Sequence, residues 1–280
     1  MGSITQLNDK LRTVPNPLVS DEQARGAIED LSAFGTDDEL LNAAAKKGLL
    51  AISVPSDFGG ADLPNELIAE LVEALARRSE EVARRALSHF VALELVRSSG
   101  TDEQRRGLYN RVMLGECLAH VGFGIADART NADGIGLSLA VPTDIVPALH
   151  QDWTILPVVD ERSGRGIAAL PATALDQMEI GSDLHLPGDH VLTLGPDAEH
   201  IAQAIEVLLE AALKVGLLSG SSASPYEPEP DVVLRELLSA MIARVSGTID
   251  ALQVGAANVD LSALDRSVLA LRHLNQQAIG

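Results

Sequence analysis

The stretch "GLLAISVPSDFGGADLP", residues 48–64, is the clearest structural marker in the sequence. A short apolar run leads into a turn at residues 57–60, where two consecutive glycines supply the freedom that a tight turn needs. The helical pattern before it opens at residues 20–23 with "SDEQ", a capping box, and ends at Gly48. The sequence therefore predicts two helical segments joined by a compact turn.

Helical patterns continue after this turn. Residues 65–100 carry apolar side chains at helical spacing and are expected to hold two helices, with a break near residues 79–81. A second capping box, "TDEQ" at residues 101–104, predicts another helix that runs to about Gly115. The first part of the chain is therefore predicted to be all helical.

The sequence pattern changes after Gly122. Short apolar runs that are typical of strands alternate there with Gly, Pro, Asp and Asn residues that are typical of turns. Residues 153–159 and 166–171 predict one hairpin. Helical patterns return near residue 196, and Pro230 suits the first turn of a further helix. The order predicts an α+β fold. Its parts are an N-terminal helical domain at 1–121, a reduced middle β domain at 122–195 and a C-terminal helical domain at 196–280.

Composition limits the kinds of partner. The formal net charge of −19 repels nucleic acid and anionic membrane surfaces, and no apolar run approaches the about 18 residues of a membrane span. The single cysteine, Cys117, excludes an internal disulfide framework, and the first ten residues lack the apolar core of a secretory signal. We expect a cytoplasmic protein that binds neither nucleic acid nor membranes.

Several stretches resemble the acyl-CoA dehydrogenase superfamily. "KKGLLAISVPSDFGGADLPNELIAELVEALAR" (46–77) is similar to its N-terminal signature, and "SHFVALELVRSSGTDEQRRGLYNRVMLGE" (88–116) to the helices that precede its β domain. "DWTILPVVDERSGRGIAALP" (152–171) resembles the middle-domain hairpin. The His89 stretch and "PYEPEPDVVLRELLSAMIARV" (225–245) look closer to the flavin monooxygenase branch, the dibenzothiophene-monooxygenase-like proteins. The resemblance implies that family's fold.

The flavin motifs of that family are absent from this sequence. The "TEP…GSD" type loop is matched by "GFGIADARTNADG" (122–134), and only Thr143 and Trp153 could stand in for a second flavin contact. The segment that bears the family's pyrophosphate-binding Arg is matched by "SSASPYEPEPD" (221–231), which is acidic. Glu227 and Glu229 would place like charge near the phosphates. We therefore expect no cofactor, with FAD or FMN as the alternative, and no metal.

The resemblance directs attention to residues that would face a substrate or the place of the flavin ring. His89 is expected to lie on a helix beside Phe90, where a neutral imidazole can move a proton, or else to be a hydrogen-bonded core histidine. Asp127 and Arg129 form an acid–base pair near the only tryptophan, or a surface salt bridge. We predict His89 and Asp127 as catalytic residues, and Phe90, Phe123, Arg129 and Trp153 as substrate-binding residues.

Other polar clusters receive simpler interpretations. Glu116 and His120 would be an i, i+4 pair if their stretch is helical; they could be a base and its orienting partner, but an ion pair at a helix end is the favoured interpretation. The group of His185, Asp189 and His190 matches no established metal spacing and is read as a polar hairpin turn. A basic cluster, defined as Arg77, Arg78, Arg84 and Arg85, is a solvated face or a docking site for an acidic carrier or for phosphates.

Three functions follow from these observations. The leading hypothesis is a flavin-independent cyclase, isomerase or lyase of secondary metabolism that reuses an acyl-CoA-dehydrogenase-like cavity. The alternatives are an FAD-dependent oxidoreductase or monooxygenase, and a non-catalytic partner of an active homologue. The expected partners are a small-molecule substrate, which a carrier protein could present, and a second copy of the chain, because the C-terminal helices are apolar on more than one face.

Overall fold

The computed structural model describes most of the chain. The described residues are 15, 17–123, 128–132, 137–139, 151–160, 164–175, 184–219, 230–256 and 260–277. Helices at both ends flank one mixed sheet, so the predicted α+β plan is confirmed. The exact domain boundaries stay a prediction.

Five helices precede the sheet. They are α1 (Asp21–Glu29), α2 (Asp37–Lys46), α3 (Asn65–Ala76), α4 (Glu80–Arg97) and α5 (Asp102–Met113). The predicted break between α3 and α4 is confirmed, with Ser79 as the N-cap of α4. The helical region predicted before Gly48 is two helices, because Thr36 and Glu39 form a capping box that starts α2.

The glycine turn folds back on the apolar run before it. The amide of Asp62 donates to the carbonyl of Val54 at 3.0 Å, and Leu63 donates to Ile52 at 2.8 Å. Gly59 has a φ of 87°, in the left-handed region that favours glycine. A Cβ on Gly60 would lie 2.0 Å from the carbonyl oxygen of Val54, so no side chain fits there. Both glycines are therefore required by geometry.

One mixed sheet of seven strands is present in the described part of the chain. The strands are β1 (Leu118–His120), β2 (Ala128–Ala132), β3 (Leu137–Leu139), β4 (Trp153–Asp160), β5 (Gly164–Pro171), β6 (Leu184–Leu186) and β7 (Val191–Thr193). The order is β6-β3-β2-β4-β5-β7, and β1 pairs with the start of β4 in parallel, with His120 opposite Ile155. The predicted hairpin is confirmed as β4 and β5.

The remaining helices are α6 (Ala172–Leu175), α7 (Ala198–Leu218), α8 (Pro230–Gln253) and α9 (Leu261–Gln277). Helix α7 packs against α3 and α4 as well as α8 and α9, so both helical regions share one core. A smaller core cluster, which includes Leu156 and Val158, lies on the other face of the sheet. Among the described residues, no helix is both long and apolar enough to cross a membrane.

Candidate functional site

His89 lies in the core of the protein. None of its surface is exposed, its Nε2 donates to the carbonyl of Leu50 at 2.8 Å, and its Nδ1 accepts from the amide of Leu118 at 2.9 Å. Burial lowers the pKa of His89 to about 4, so the ring is neutral at pH 7. Of the two alternatives for His89, the hydrogen-bonded core histidine agrees with this geometry, because the side chain is fully buried and both ring nitrogens are occupied. Phe90 is likewise buried in the core, at 2% exposure.

A cavity of about 570 Å³ lies where β1 ends against α4. We call it the β1 cavity. Its lining residues come from the first half of α4, from β1 and from the start of the segment that leads to β4; they are Glu80, Glu81, Arg84, Arg85, Ser88, Ala119, His120 and Gln151. Ser88 fixes β1 against α4, since its hydroxyl donates to the carbonyl of His120 at 3.1 Å and accepts from its amide at 2.7 Å. The two elements therefore hold the cavity wall in one geometry.

His120 is the titratable side chain at the end of this strand. Its ring lies 4.4 Å from that of Phe123, centroid to centroid, and its Nε2 is buried with no hydrogen-bond partner in the described part of the chain. Burial lowers the pKa of His120 to about 4. An unpaired buried ring nitrogen costs stability, which is typical of a group kept for a ligand or a reaction.

Two arginines and two carboxylates, Glu80 and Glu81, line the β1 cavity. Arg84 pairs with Glu80 through Nε at 2.9 Å, one turn away on α4, and is largely exposed. Arg85 reaches Asp38 at 3.8 Å, and that carboxylate is 90% exposed. Surface pairs of this kind hold their partners weakly. Each guanidinium group can therefore exchange its carboxylate for an anion in the cavity.

Trp153 lies in a separate cleft of about 610 Å³ between α5 and the sheet. Its indole Nε1 donates to Glu116 Oε2 at 2.7 Å, and its ring lies 6.0 Å from that of His190. His190 Nδ1 donates in turn to the carbonyl of Ala169 at 3.1 Å. The predicted site residues His89, Phe90 and Trp153 therefore do not share one cavity, because His89 and Phe90 are in the core and Trp153 lines the cleft beside α5.

The other predicted residues have varied outcomes. Asp127 lies outside the described residues, as do Glu227 and Glu229, and Arg129 is described only as a position in β2 opposite Val159. The Glu116–His120 stretch is not helical, because His120 is on β1. Glu116 pairs with Arg111 at 3.4 Å, near the end of α5. Within the described residues, no group of His, Cys, Asp and Glu is arranged to hold a metal.

Sequence reasoning missed the β1 cavity. His120 was judged only as a helical partner of Glu116, which placed it on the wrong element. The available signal was the position of His120, two residues before the segment 122–134 that stands in the place of the family's flavin loop. That order places its side chain at the edge of the sheet where the loop begins.

The sequence of the first helical region matches a known domain. Residues 12–116 match the family model described as acyl-CoA dehydrogenase, N-terminal domain. Residues 12–116 are therefore similar to an acyl-CoA dehydrogenase N-terminal domain. No curated protein sequence matches the chain.

Solved structures extend the acyl-CoA dehydrogenase fold over nearly the whole chain. Methanesulfinate monooxygenase MsuC from Pseudomonas fluorescens is 16% identical, with 92% of this chain and 80% of that chain covered and a TM-score of 0.63. XiaF from Streptomyces sp., solved with FADH2 and glycerol, is 15% identical over 92% and 83% of the two chains, with a TM-score of 0.65. FMN-bound TdsC from Paenibacillus sp. A11-2 is 16% identical over 92% and 82%, with a TM-score of 0.60. The predicted fold and its likeness to flavin monooxygenases are confirmed.

The same structures contradict the expectation that no cofactor is used, because several of them are flavin-bound proteins of this fold. The described residues of the β1 cavity fit part of a flavin. The His120 ring, which packs beside Phe123, suits a flat heterocycle, the unpaired Nε2 suits a polar ring atom, and Arg84 and Arg85 suit a phosphate. The missing motifs therefore do not establish that flavin binding is lost, since ligand contacts can come from residues outside those motifs.

Proposed function

We propose that the protein is a flavin-dependent oxidoreductase of the monooxygenase type, which acts on a small organic molecule and binds its flavin in the β1 cavity. The observation that supports it most directly is the β1 cavity itself, with an unpaired buried histidine and two arginines in a chain whose fold is that of flavin monooxygenases. The cyclase, isomerase or lyase hypothesis is set aside, because its premise was the absence of flavin.

Each residue of the cavity has a binding role in this proposal. His120, with Phe123 packed beside it, would contact the flavin ring, and Arg84 and Arg85 would neutralise the flavin phosphate. Ser88 would keep β1 in place through its two hydrogen bonds to the backbone of His120. A bound flavin would supply the redox chemistry that the side chains of the protein lack.

His120 would also handle a proton. Its lowered pKa keeps the ring neutral at pH 7, so the unpaired Nε2 can either hold a hydrogen or accept one. Because the atom is buried, water competes poorly for that hydrogen bond. We infer that His120 holds or removes a proton of the flavin or the substrate at this atom.

The test is a binding titration of the purified protein with FMN, FAD and riboflavin, in oxidised and reduced forms, followed by flavin fluorescence and calorimetry. Replacing both Arg84 and Arg85 with Gln should weaken FMN binding tenfold or more, which is about 1.4 kcal/mol, and leave riboflavin binding unchanged, because riboflavin has no phosphate. His120→Ala should weaken the binding of both FMN and riboflavin.

Arg77→Gln is the matched control. Arg77 belongs to the same basic cluster, but it pairs with Glu73 at the end of α3 and does not line the β1 cavity. Its substitution should leave FMN binding unchanged. Equal weakening by Arg77→Gln would show that only overall charge matters, and no binding of any flavin form would contradict the proposed function.

A further inference from the structure

A third cavity, of about 550 Å³, lies where the glycine turn meets the helices. We call it the Glu94 cavity. It is lined by the turn at residues 55–62, the ends of α4 and α8 and the starts of α5 and α7. It shares no lining residue with the β1 cavity. What it binds is therefore a separate question from the proposed flavin site and does not rest on it.

A triad of charged side chains, Asp62, Arg97 and Glu94, forms one wall of this cavity. Arg97 donates from Nη2 to Asp62 Oδ1 at 2.9 Å and to the carbonyl of Ser53 at 2.6 Å, and its Nε lies 3.2 Å from Glu94 Oε2. Gln253 donates to the same Glu94 oxygen at 2.8 Å. The triad holds two carboxyl groups and one guanidinium. Burial raises the pKa of Glu94, so with both carboxylates ionised the triad lacks one positive charge.

Two buried polar atoms beside the triad have no partner. Glu94 is 5% exposed, and its Oε1 has no hydrogen-bond partner within the described part of the chain; the same holds for the hydroxyl of Tyr109, which is 1% exposed. Both groups interact electrostatically with Arg97. A buried carboxylate oxygen that accepts no hydrogen bond is costly, so the site is built for a donor that the protein does not supply.

The remaining charges of the Glu94 cavity favour a cation. Its other acidic side chains are Asp57, Asp102 and Asp197, and its other basic side chains are Arg105 and Arg106. Both of these guanidinium groups lie over the ring of Phe58, at 5.4 and 5.3 Å from its centroid. Arg105 Nε also lacks a hydrogen-bond partner in the described residues, but its guanidinium group makes a cation–π contact with the Phe58 ring. With Glu94 and Asp62, five carboxylates face three guanidinium groups.

We propose that the Glu94 cavity binds a small molecule with a primary ammonium group. An N–H group of the ammonium donates to Glu94 Oε1, and the charge of the ammonium balances the triad. A metal ion is a poorer occupant, since no group of His, Cys, Asp and Glu in the described residues is arranged to hold one. An anion is poorer still, because it would face Glu94 Oε1 at close range.

The test measures thermal unfolding of the full chain at pH 7.5 with methylammonium chloride as the probe. Tetramethylammonium chloride, which has no N–H donor, and sodium chloride serve as controls at equal ionic strength. Methylammonium at tenfold above its dissociation constant should raise Tm by about 3 °C or more, and the two controls should not. An equal shift with tetramethylammonium, or no shift with methylammonium, would overturn the proposal.

Glu94→Gln separates ligand binding from general charge effects. This variant removes the unbalanced charge, so without ligand it should melt at or above the wild-type Tm, and it should lose the methylammonium shift. Glu66→Gln, at an exposed position on α3, should keep the shift. A shift retained in Glu94→Gln would refute the assignment.

Asp62→Asn provides an independent readout if Glu94→Gln does not fold. It removes the other carboxylate charge of the triad and keeps an oxygen that can accept from Arg97, so the dissociation constant for methylammonium measured by calorimetry should rise severalfold. An unchanged dissociation constant in this variant would also contradict the proposed charge balance.

Discussion

The ring of His89 connects two parts of the fold. One nitrogen bonds the loop that carries the glycine turn, at Leu50, and the other bonds the first residue of β1, at Leu118. A neutral imidazole is the one side chain that offers a donor and an acceptor at opposite corners of a small ring. Its role is therefore to position the loop and the strand, and proton transfer at this residue would break that connection.

This role predicts a pH-dependent stability. The folded pKa of His89 is about 4, below the unfolded value of about 6.5, so its contribution is complete above pH 6.5 and declines as pH falls toward 4. The charged group that acts on it is Asp152, which opposes the shift. We expect His89→Gln to destabilise the protein at pH 7.5. Its effect on the free energy of unfolding should be about 1.4 kcal/mol smaller at pH 5.5, as urea unfolding would measure.

The difference between wild type and variant cancels the titration of other groups, including His120, whose folded pKa is also about 4. The lower pH of the comparison is 5.5, above the sequence pI of about 4.6, so that the protein stays soluble. If His89→Gln costs the same free energy at both pH values, the histidine is not buried as a neutral ring.

The sequence predicted His89 as a candidate but could not decide its role. Helix α4 is buried over much of its surface from Val82 to Val96, so its pattern does not distinguish a core face from a cavity face. The two hydrogen bonds of His89 join residues that are 39 and 29 positions away. Such contacts follow from the tertiary fold, which local spacing does not encode.

Among the elements, α3 and α7 cross unusually closely. At Gly216 on α7, an added Cβ would lie 2.5 Å from the carbonyl oxygen of Glu73 and 2.6 Å from the Cβ of Ala76. Gly247 on α8 is also helical, but nothing lies within 4 Å of the Cβ it would carry. Glycine is therefore required by close packing at position 216, whereas at position 247 the surroundings leave room for a side chain.

This contrast gives a paired prediction. Gly216→Ala should destabilise the protein by about 1–3 kcal/mol or more, because the helices must move apart. Gly247→Ala should stabilise it by about 0.5–1 kcal/mol through helix propensity. Chemical unfolding of both variants measures the difference. A neutral or stabilising Gly216→Ala would show that α3 and α7 are not in close contact.

Element types were largely predictable, and pairings were not. The capping box at Thr101, the break before Glu80 and the β4–β5 hairpin follow from local chemistry, and the structure has them all. The parallel pairing of β1 with β4 joins segments about 35 residues apart, and no turn signal specifies it. His120 reaches the β1 cavity only through this pairing, so the cavity was not visible in the sequence.

At the scale of the whole molecule, an apolar surface remains on the C-terminal helices. Val233 and Leu237 are one helical turn apart on α8 and about half exposed, and Leu217 at the end of α7 is 45% exposed. We propose that this surface joins two copies of the chain. Light scattering at micromolar concentration should report a dimer, and Leu237→Glu should yield a monomer, because a charge in an apolar interface is costly.

Leu269→Glu is the control for that prediction. Leu269 is 69% exposed on α9, so it tests whether any added charge dissociates the protein. The dimer should survive this substitution. A wild-type monomer, or a monomer produced by Leu269→Glu alone, would contradict an interface on α8.

Helix α7 determines how freely this chain can exchange parts with its relatives. It packs against helices that precede the sheet in the chain and against helices that follow it. At Gly216 the backbones of α7 and α3 lie too close for a side chain. Recombination that replaced residues 12–116 alone would join a foreign α3 and α4 to this α7, and the tight crossing would be mismatched. Crossovers that carry α3, α4 and α7 together would preserve it. The segment that is recognisable as a domain by sequence is therefore not a module that evolution can move by itself.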